Sequence, residues 1–145
     1  MIMHEYRLES CHPDLVKVIL MLEKLFPKWT ITIAYGFRNQ TDQNLAFAQG
    51  NSTKQWPNSL HNSQPSMAVD LYAEELDPNG ALIIDFKDYT RIGFLAGMIV
   101  AIGIGLGIGI RWGGDWDGDT ETKDEHLKDL GHFELIKQEA TAPSV

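Results

Sequence analysis

Positive charge is scarce in this chain: 12 Lys and Arg stand against 20 Asp and Glu, a formal net charge of −8 over 145 residues. Nucleic acid is held by clustered Lys and Arg on its phosphates, so this balance argues against a nucleic-acid binder. It also leaves no polybasic patch for an anionic membrane or wall polymer. Cysteine occurs once, at Cys11, so no intramolecular disulfide can form and the fold has to hold in either redox compartment. Met1-Ile2-Met3-His4-Glu5-Tyr6-Arg7 lacks the basic stretch followed by an apolar run that marks a secretory signal, and synthesis in a cytoplasm is expected. Repeats and low-complexity tracts are absent beyond one Gly-Ile alternation. What remains is ordinary for one soluble globular domain: 43% hydrophobic and 22% charged residues.

Charge does vanish over one stretch. Ile92 to Ile110 are nineteen residues without an ionisable side chain, long enough to be weighed as a membrane span. Gly103, Gly105, Gly107 and Gly109 alternate there with Ile and Leu, a period of two that interrupts a helix. The run therefore reads as a core helix over about 89–102, a glycine turn and a strand over about 108–112, without stable membrane insertion.

Elsewhere the pattern predicts elements of both kinds. Pro13 and Asp14 suit a helix start, and Leu15, Val18, Ile19, Leu22 and Leu25 recur at helical spacing until Pro27. Thr30 to Tyr35 alternates and is β-branched, hence a strand. A short helix is expected over 41–49 with Leu45 and Ala48 inward, then a loop over 50–57. Asp77-Pro78-Asn79-Gly80 is a turn, Leu82 to Phe86 a candidate strand, and Asp88 or Thr90 a cap for the apolar helix. Residues 1–11 read as a ragged lead-in, 115–121 as a solvated acidic loop, 124–128 as a helical turn with His126 on the surface, and 137–145 as a loose tail. The order of elements fits an α+β domain with a small, mainly antiparallel sheet.

Two segments carry chemistry. One runs from Ser59 through His61 to Asp70 and Leu71; the other from Asp129 through His132 to Leu135. His61 and Asp70 are nine residues apart with Asn62, Ser63, Pro65 and Ser66 between them, so the chain should loop out and return along a strand over 67–72 bearing Asp70. His132 should lie on a second strand over 131–136, with Glu134 on the same face. Two imidazoles and a carboxylate are a common protein set for a catalytic zinc with one position left for water. Asp129, three residues before His132, could act as base on that water. On spacing alone, histidines in the core or on the surface and a turn-capping Asp70 explain the same residues about equally well.

The order of motifs goes further. Ser59-Leu60-His61-Asn62 with Ser66-Met67-Ala68-Val69-Asp70-Leu71, then Arg111-Trp112-Gly113-Gly114-Asp115-Trp116, then Asp129-Leu130-Gly131-His132-Phe133-Glu134-Leu135, resembles the zinc D-alanyl-D-alanine carboxypeptidase and L-alanyl-D-glutamate endopeptidase family, in particular its short phage endolysins. His12-Pro13-Asp14-Leu15, Tyr35-Gly36-Phe37-Arg38 and Gln43 extend the resemblance over nearly the whole chain. It implies a Hedgehog/D,D-peptidase-like fold and Zn²⁺ on His61, Asp70 and His132. Asp129 would be the general base in preference to Glu134, which would hold an imidazole. Arg38 would steady the substrate carbonyl or oxyanion, and Gln43 and Ser59 would contact substrate. The implied substrate is the stem peptide of peptidoglycan, cut by a monomer that reaches the wall after release from the host cytoplasm. A D-alanyl-D-alanine carboxypeptidase, or a binding relative without turnover, would keep the same residues. Family members often carry Pro before the last histidine; this chain has Gly131.

Overall fold

Strand alternation sets the centre of the molecule. In the computed structural model, which describes residues 1–125 and 128–137, β2 (Trp29–Tyr35) sends Trp29, Ile31 and Ile33 to one face, and β3 (Ala68–Glu75) sends Val69, Leu71 and Ala73 to the same face. The two pair antiparallel. Against that apolar face lie α2 (Pro13–Leu25), through Leu15, Val18, Ile19 and Leu22, and α4 (Tyr89–Gly105), through Leu95, Ala96, Ile99 and Ile102. Each fully buried aliphatic side chain contributes about 1.5–3 kcal/mol, so this helix-on-sheet layer is the main source of stability.

Among the described residues, five strands form one sheet in the order β1-β2-β3-β5-β4, with β1 (Ile2–Met3) parallel to β2 and the other pairs antiparallel. β5 (His132–Leu135), the last of the described strands, fills the gap between β3 and β4 (Ile110–Trp112). All four of its residues are buried: Phe133 and Leu135 enter the core, while His132 and Glu134 face the other way. That second face is covered only partly, by α3 (Gln40–Ala48) and the loop after it, and the space left is the cleft.

The helix caps follow local chemistry. His12 accepts from the Asp14 N–H and Asp88 from the Arg91 N–H, as N-cap side chains do. The uncharged run resolves into α4, a turn and β4, and among the described residues no helix is long and apolar enough to cross a membrane.

Three sequence expectations need correction. Residues 1–11 are not a lead-in: they form β1 and α1 (Glu5–Glu9), and Leu8 and Cys11 join the core. Too few apolar residues lie there for periodicity to reveal it. On α3 it is Gln43 that points inward, at 0% exposure, whereas Leu45 is 53% exposed and Ala48 is exposed. A buried amide network replaces the expected apolar contact. Leu82 to Phe86 forms no strand, only a single bridge from Leu82 to Leu76. The readings for His126 and most of the 137–145 tail lie outside the described residues.

Candidate metal centre

His61 is delivered by a short 3₁₀ turn, Leu60–Asn62. Ser59 starts that turn: its Oγ accepts from the His61 N–H at 3.2 Å, and the Ser59 N–H donates to Asn62 Oδ1 at 3.0 Å, a reciprocal cap. The His61 ring is then oriented from below, since Nδ1 lies 2.8 Å from the Gly36 carbonyl oxygen and can only donate to it. That contact occupies Nδ1 and makes Nε2 the nitrogen free to offer a lone pair to a metal ion in the cleft.

Asp70 and His132 come from paired strands. They are direct partners in the β3–β5 register, so both side chains stand on the cleft face. His132 Nδ1 is 3.0 Å and His61 Nε2 is 3.2 Å from the same Asp70 oxygen, Oδ1, and the two ring nitrogens are 3.3 Å apart. Donors at about 2.1 Å from a tetrahedral ion lie about 3.3 Å from one another, so the triangle fits one edge-sharing face of a zinc coordination shell. Two nitrogens and an oxygen of this kind suit zinc and leave a further position open. His61, Asp70 and His132 thus form a group able to hold a metal ion.

Electrostatics agree with the geometry. Burial alone would push the Asp70 carboxyl up, but the His61 and His132 imidazoles outweigh it and hold the carboxyl below its ordinary range. Burial would lower His132, yet its hydrogen bonds to Asp70 and Glu134 push it up to about 9 in the metal-free protein. Glu134 Oε1 lies 3.5 Å from His132 Nε2, and this contact keeps the Glu134 carboxyl low against the effect of burial. With Glu134 accepting from Nε2–H, Nδ1 is the nitrogen directed at Asp70 and His61, and it would offer a lone pair to a metal once its own proton is lost.

Asp129 stands at the other end of the triangle, with Oδ2 3.9 Å from His132 Nδ1. Burial and the Asp70 charge push its carboxyl up, partly offset by His132, His61 and Arg38. A raised carboxyl in a cleft is suited to taking and returning a proton. Its loop is held by Gly113: the Asp129 N–H donates to the Gly113 carbonyl at 2.8 Å, and the Gly113 N–H donates to the His132 carbonyl at 2.9 Å. A Cβ on Gly113 would sit 2.1 Å from the Asp129 carbonyl oxygen, so the absence of a side chain at Gly113 is what lets this loop close on the site. Gly131 has a different neighbour, the Tyr72 ring, whose Cζ would lie 2.7 Å from an added Cβ. Tyr72 therefore occupies the space that a larger residue at 131 would need.

Arg38 is nearly buried, with Nη2 3.6 Å from Asp70 Oδ2 and its guanidinium 4.4 Å above the Tyr35 ring. Beneath it Gln43 Oε1 accepts from Arg38 Nη1 at 3.2 Å and from Asn62 Nδ2 at 3.1 Å, while Gln43 Nε2 donates to Ser52 Oγ and the Lys54 carbonyl. Gln43 lies under the cleft, whereas Ser59, Arg38, Asp70, Asp129 and both histidines line it. Trp116 lines the cleft beside His132, ring centroids 5.4 Å apart, and Trp112 packs against the core. The cleft has a volume of about 980 Å³, enough for a peptide segment. The sequence motifs contain Gly36, Asn62 and Gly113, but sequence reasoning gave none of them its supporting role. For Gly113 the adjacent glycines were the available signal.

Comparison with known proteins agrees in kind. A family model described as phage L-alanyl-D-glutamate peptidase matches residues 3–136. A solved structure that resembles the chain is the crystal structure of Serratia marcescens L-Ala D-Glu endopeptidase ChiX, at 26% sequence identity and a TM-score of 0.67, covering 94% of this chain and 90% of that one. None of the curated proteins compared matches the chain.

Proposed function

The chain belongs to the phage L-alanyl-D-glutamate peptidase family, peptidases of bacterial peptidoglycan, and from that premise we propose a zinc enzyme in which His61, Asp70 and His132 are the metal ligands and Asp129 is the general base. The observation that supports it best is the convergence of two ring nitrogens and one carboxylate oxygen within 3.0–3.3 Å of one another, each ring held by a contact on its far nitrogen. Zinc held there would supply Lewis acidity to a water and to the scissile carbonyl.

The chain's own groups account for the remaining steps. Asp129 takes the proton of the attacking water and returns it to the leaving amine of the D-glutamyl residue, so the L-alanyl C–N bond breaks and a free amine departs. Arg38, held flat by Tyr35 and fixed by Gln43, offers its guanidinium N–H groups to the oxygen that gains charge in the tetrahedral intermediate. Tyr72 and Trp116 wall the cleft and limit water around the reacting atoms. Within this reading the enzyme works as a monomer that meets the wall after release from the host cytoplasm.

Mass spectrometry of fragments released from purified sacculi, with and without a zinc chelator, tests the proposal. Stem peptides with a new D-glutamyl amino end, lost on chelation, are expected. Release of free D-alanine instead would mean a D,D-carboxypeptidase, and unchanged cleavage in chelator would refute the metal mechanism.

A further inference from the structure

The chain is acidic but its cleft is not. Five of the 12 Lys and Arg line the cleft, against four of the 20 Asp and Glu. Two of these cations are engaged: Arg7 Nη1 donates to the Ile33 and Ala34 carbonyls, and Arg38 pairs with Asp70. Arg111 is different. Among the described residues no hydrogen-bond or ion-pair partner lies within bonding distance of its guanidinium, although the side chain is half-buried.

Register fixes where Arg111 stands. It is the direct antiparallel partner of Glu134, as Asp70 is of His132, so Arg111 shares the cleft face one row along from the metal-binding group. Successive rows on one face are roughly 7 Å apart, within the reach of an arginine side chain. Lys54 approaches the same end from the loop after α3, and Arg111 and Lys54 both act through space on Glu134. Along β5 the cleft thus carries Lys128 and Asp129 at one end, and Arg111 and Lys54 around the single carboxylate of Glu134 at the other.

A substrate matching the Arg111 end follows from chemistry. A glutamyl residue has two carboxyl groups and only one continues the chain. When the α-carboxyl is the free one, its carbon lies about 2.5 Å from the scissile nitrogen. We propose that Arg111, assisted by Lys54, binds the free carboxylate of the D-glutamyl residue on the leaving side of the scissile bond, and so makes this end of the cleft a specificity site. The inference rests on the peptidase reading above. Arginine suits the role because its fork meets both carboxylate oxygens at once.

The test uses two synthetic stem peptides identical except that the free glutamyl carboxylate is left as the acid or converted to the carboxamide. Zinc-loaded wild type is expected to favour the acid by roughly 10- to 100-fold in kcat/KM, mostly through KM. Arg111→Gln should bring that preference to within about threefold, and Arg111→Lys should restore part of it. Zinc content and thermal melting of both variants establish that the site is intact. Equal cleavage of acid and amide by wild type would overturn the inference, as would a preference that survives in Arg111→Gln. If wild type cuts neither peptide, the peptidase reading itself fails and this one with it.

Discussion

Zinc uptake should be coupled to proton loss at one histidine. The Asp70 and Glu134 contacts, acting against burial, hold His132 at about 9 in the metal-free protein, so at pH 7.5 roughly 97% of the imidazole is protonated. A ligand nitrogen needs its lone pair, so binding one zinc ion should release about one proton at that pH. The protonated state opposes binding by about 1.5 pKa units, on the order of 2 kcal/mol or a 30-fold loss of apparent affinity relative to pH above 9. Calorimetric titration of zinc into chelator-stripped protein, in two buffers of different ionisation enthalpy, counts the protons. Competition with a chromophoric chelator gives affinity against pH, and its logarithm should rise by about one per pH unit between roughly 6.5 and 9. A flat affinity over that window, with well under half a proton released, would refute both the protonated His132 and its role as ligand. The sign for folding is opposite. The folded value lies above the unfolded value of about 6.5, so the stabilisation from protonated His132 is fully present below pH ~6.5. It is lost as pH rises through about 9, and the apo-protein should melt at lower temperature across that range.

Three further outcomes are expected. Asp129→Ala should keep zinc stoichiometry near one and lower kcat by roughly 10²–10⁴, measured by atomic absorption beside single-turnover cleavage. Loss of zinc with activity would instead make Asp129 a ligand. Gln43→Leu leaves Arg38 Nη1 and Asn62 Nδ2 without their shared acceptor, and denaturant unfolding should show a loss of about 2–4 kcal/mol. An unchanged midpoint would mean that the network carries no stability. Cys11 is buried, and burial, with a smaller contribution from Asp70, pushes its thiol up to about 12, so native protein should resist an aromatic disulfide reagent that reacts with the urea-unfolded chain.

The sequence showed what periodicity and motif order can carry. α2, β2, β3 and β5 came from apolar spacing, and the split of the uncharged run into α4 and β4 from its glycines. The sequence reading placed Asp70 and His132 on neighbouring strands, but their direct pairing in register is a finding of the structure. Less was legible where polar atoms do the packing. Gln43 looks in sequence like any exposed helix residue, and only its four partners explain its burial. β1 is too short for any pattern to mark, and its pairing with β2 is a long-range event. The Asp129 loop depends on the backbone of Gly113, which a residue-type motif names without explaining.

The position of β5 has a consequence for how the enzyme comes into being. A strand added last in sequence usually sits at the edge of a sheet, but here the last described strand is an inner one, between β3 and β4. While the chain is being synthesised, β3 and β4 have no hydrogen-bonded neighbour on their facing sides until residues 132–135 emerge. The same insertion brings His132 to Asp70, 62 positions earlier. Folding of the inner sheet and the meeting of His132 with Asp70 are thus one event. A metal bridging those two residues would also act as a clasp across a long loop, gaining most from the closure entropy it removes. Metal capture would then slow the exit of β5, and resistance to unfolding would rise at the moment the enzyme becomes competent.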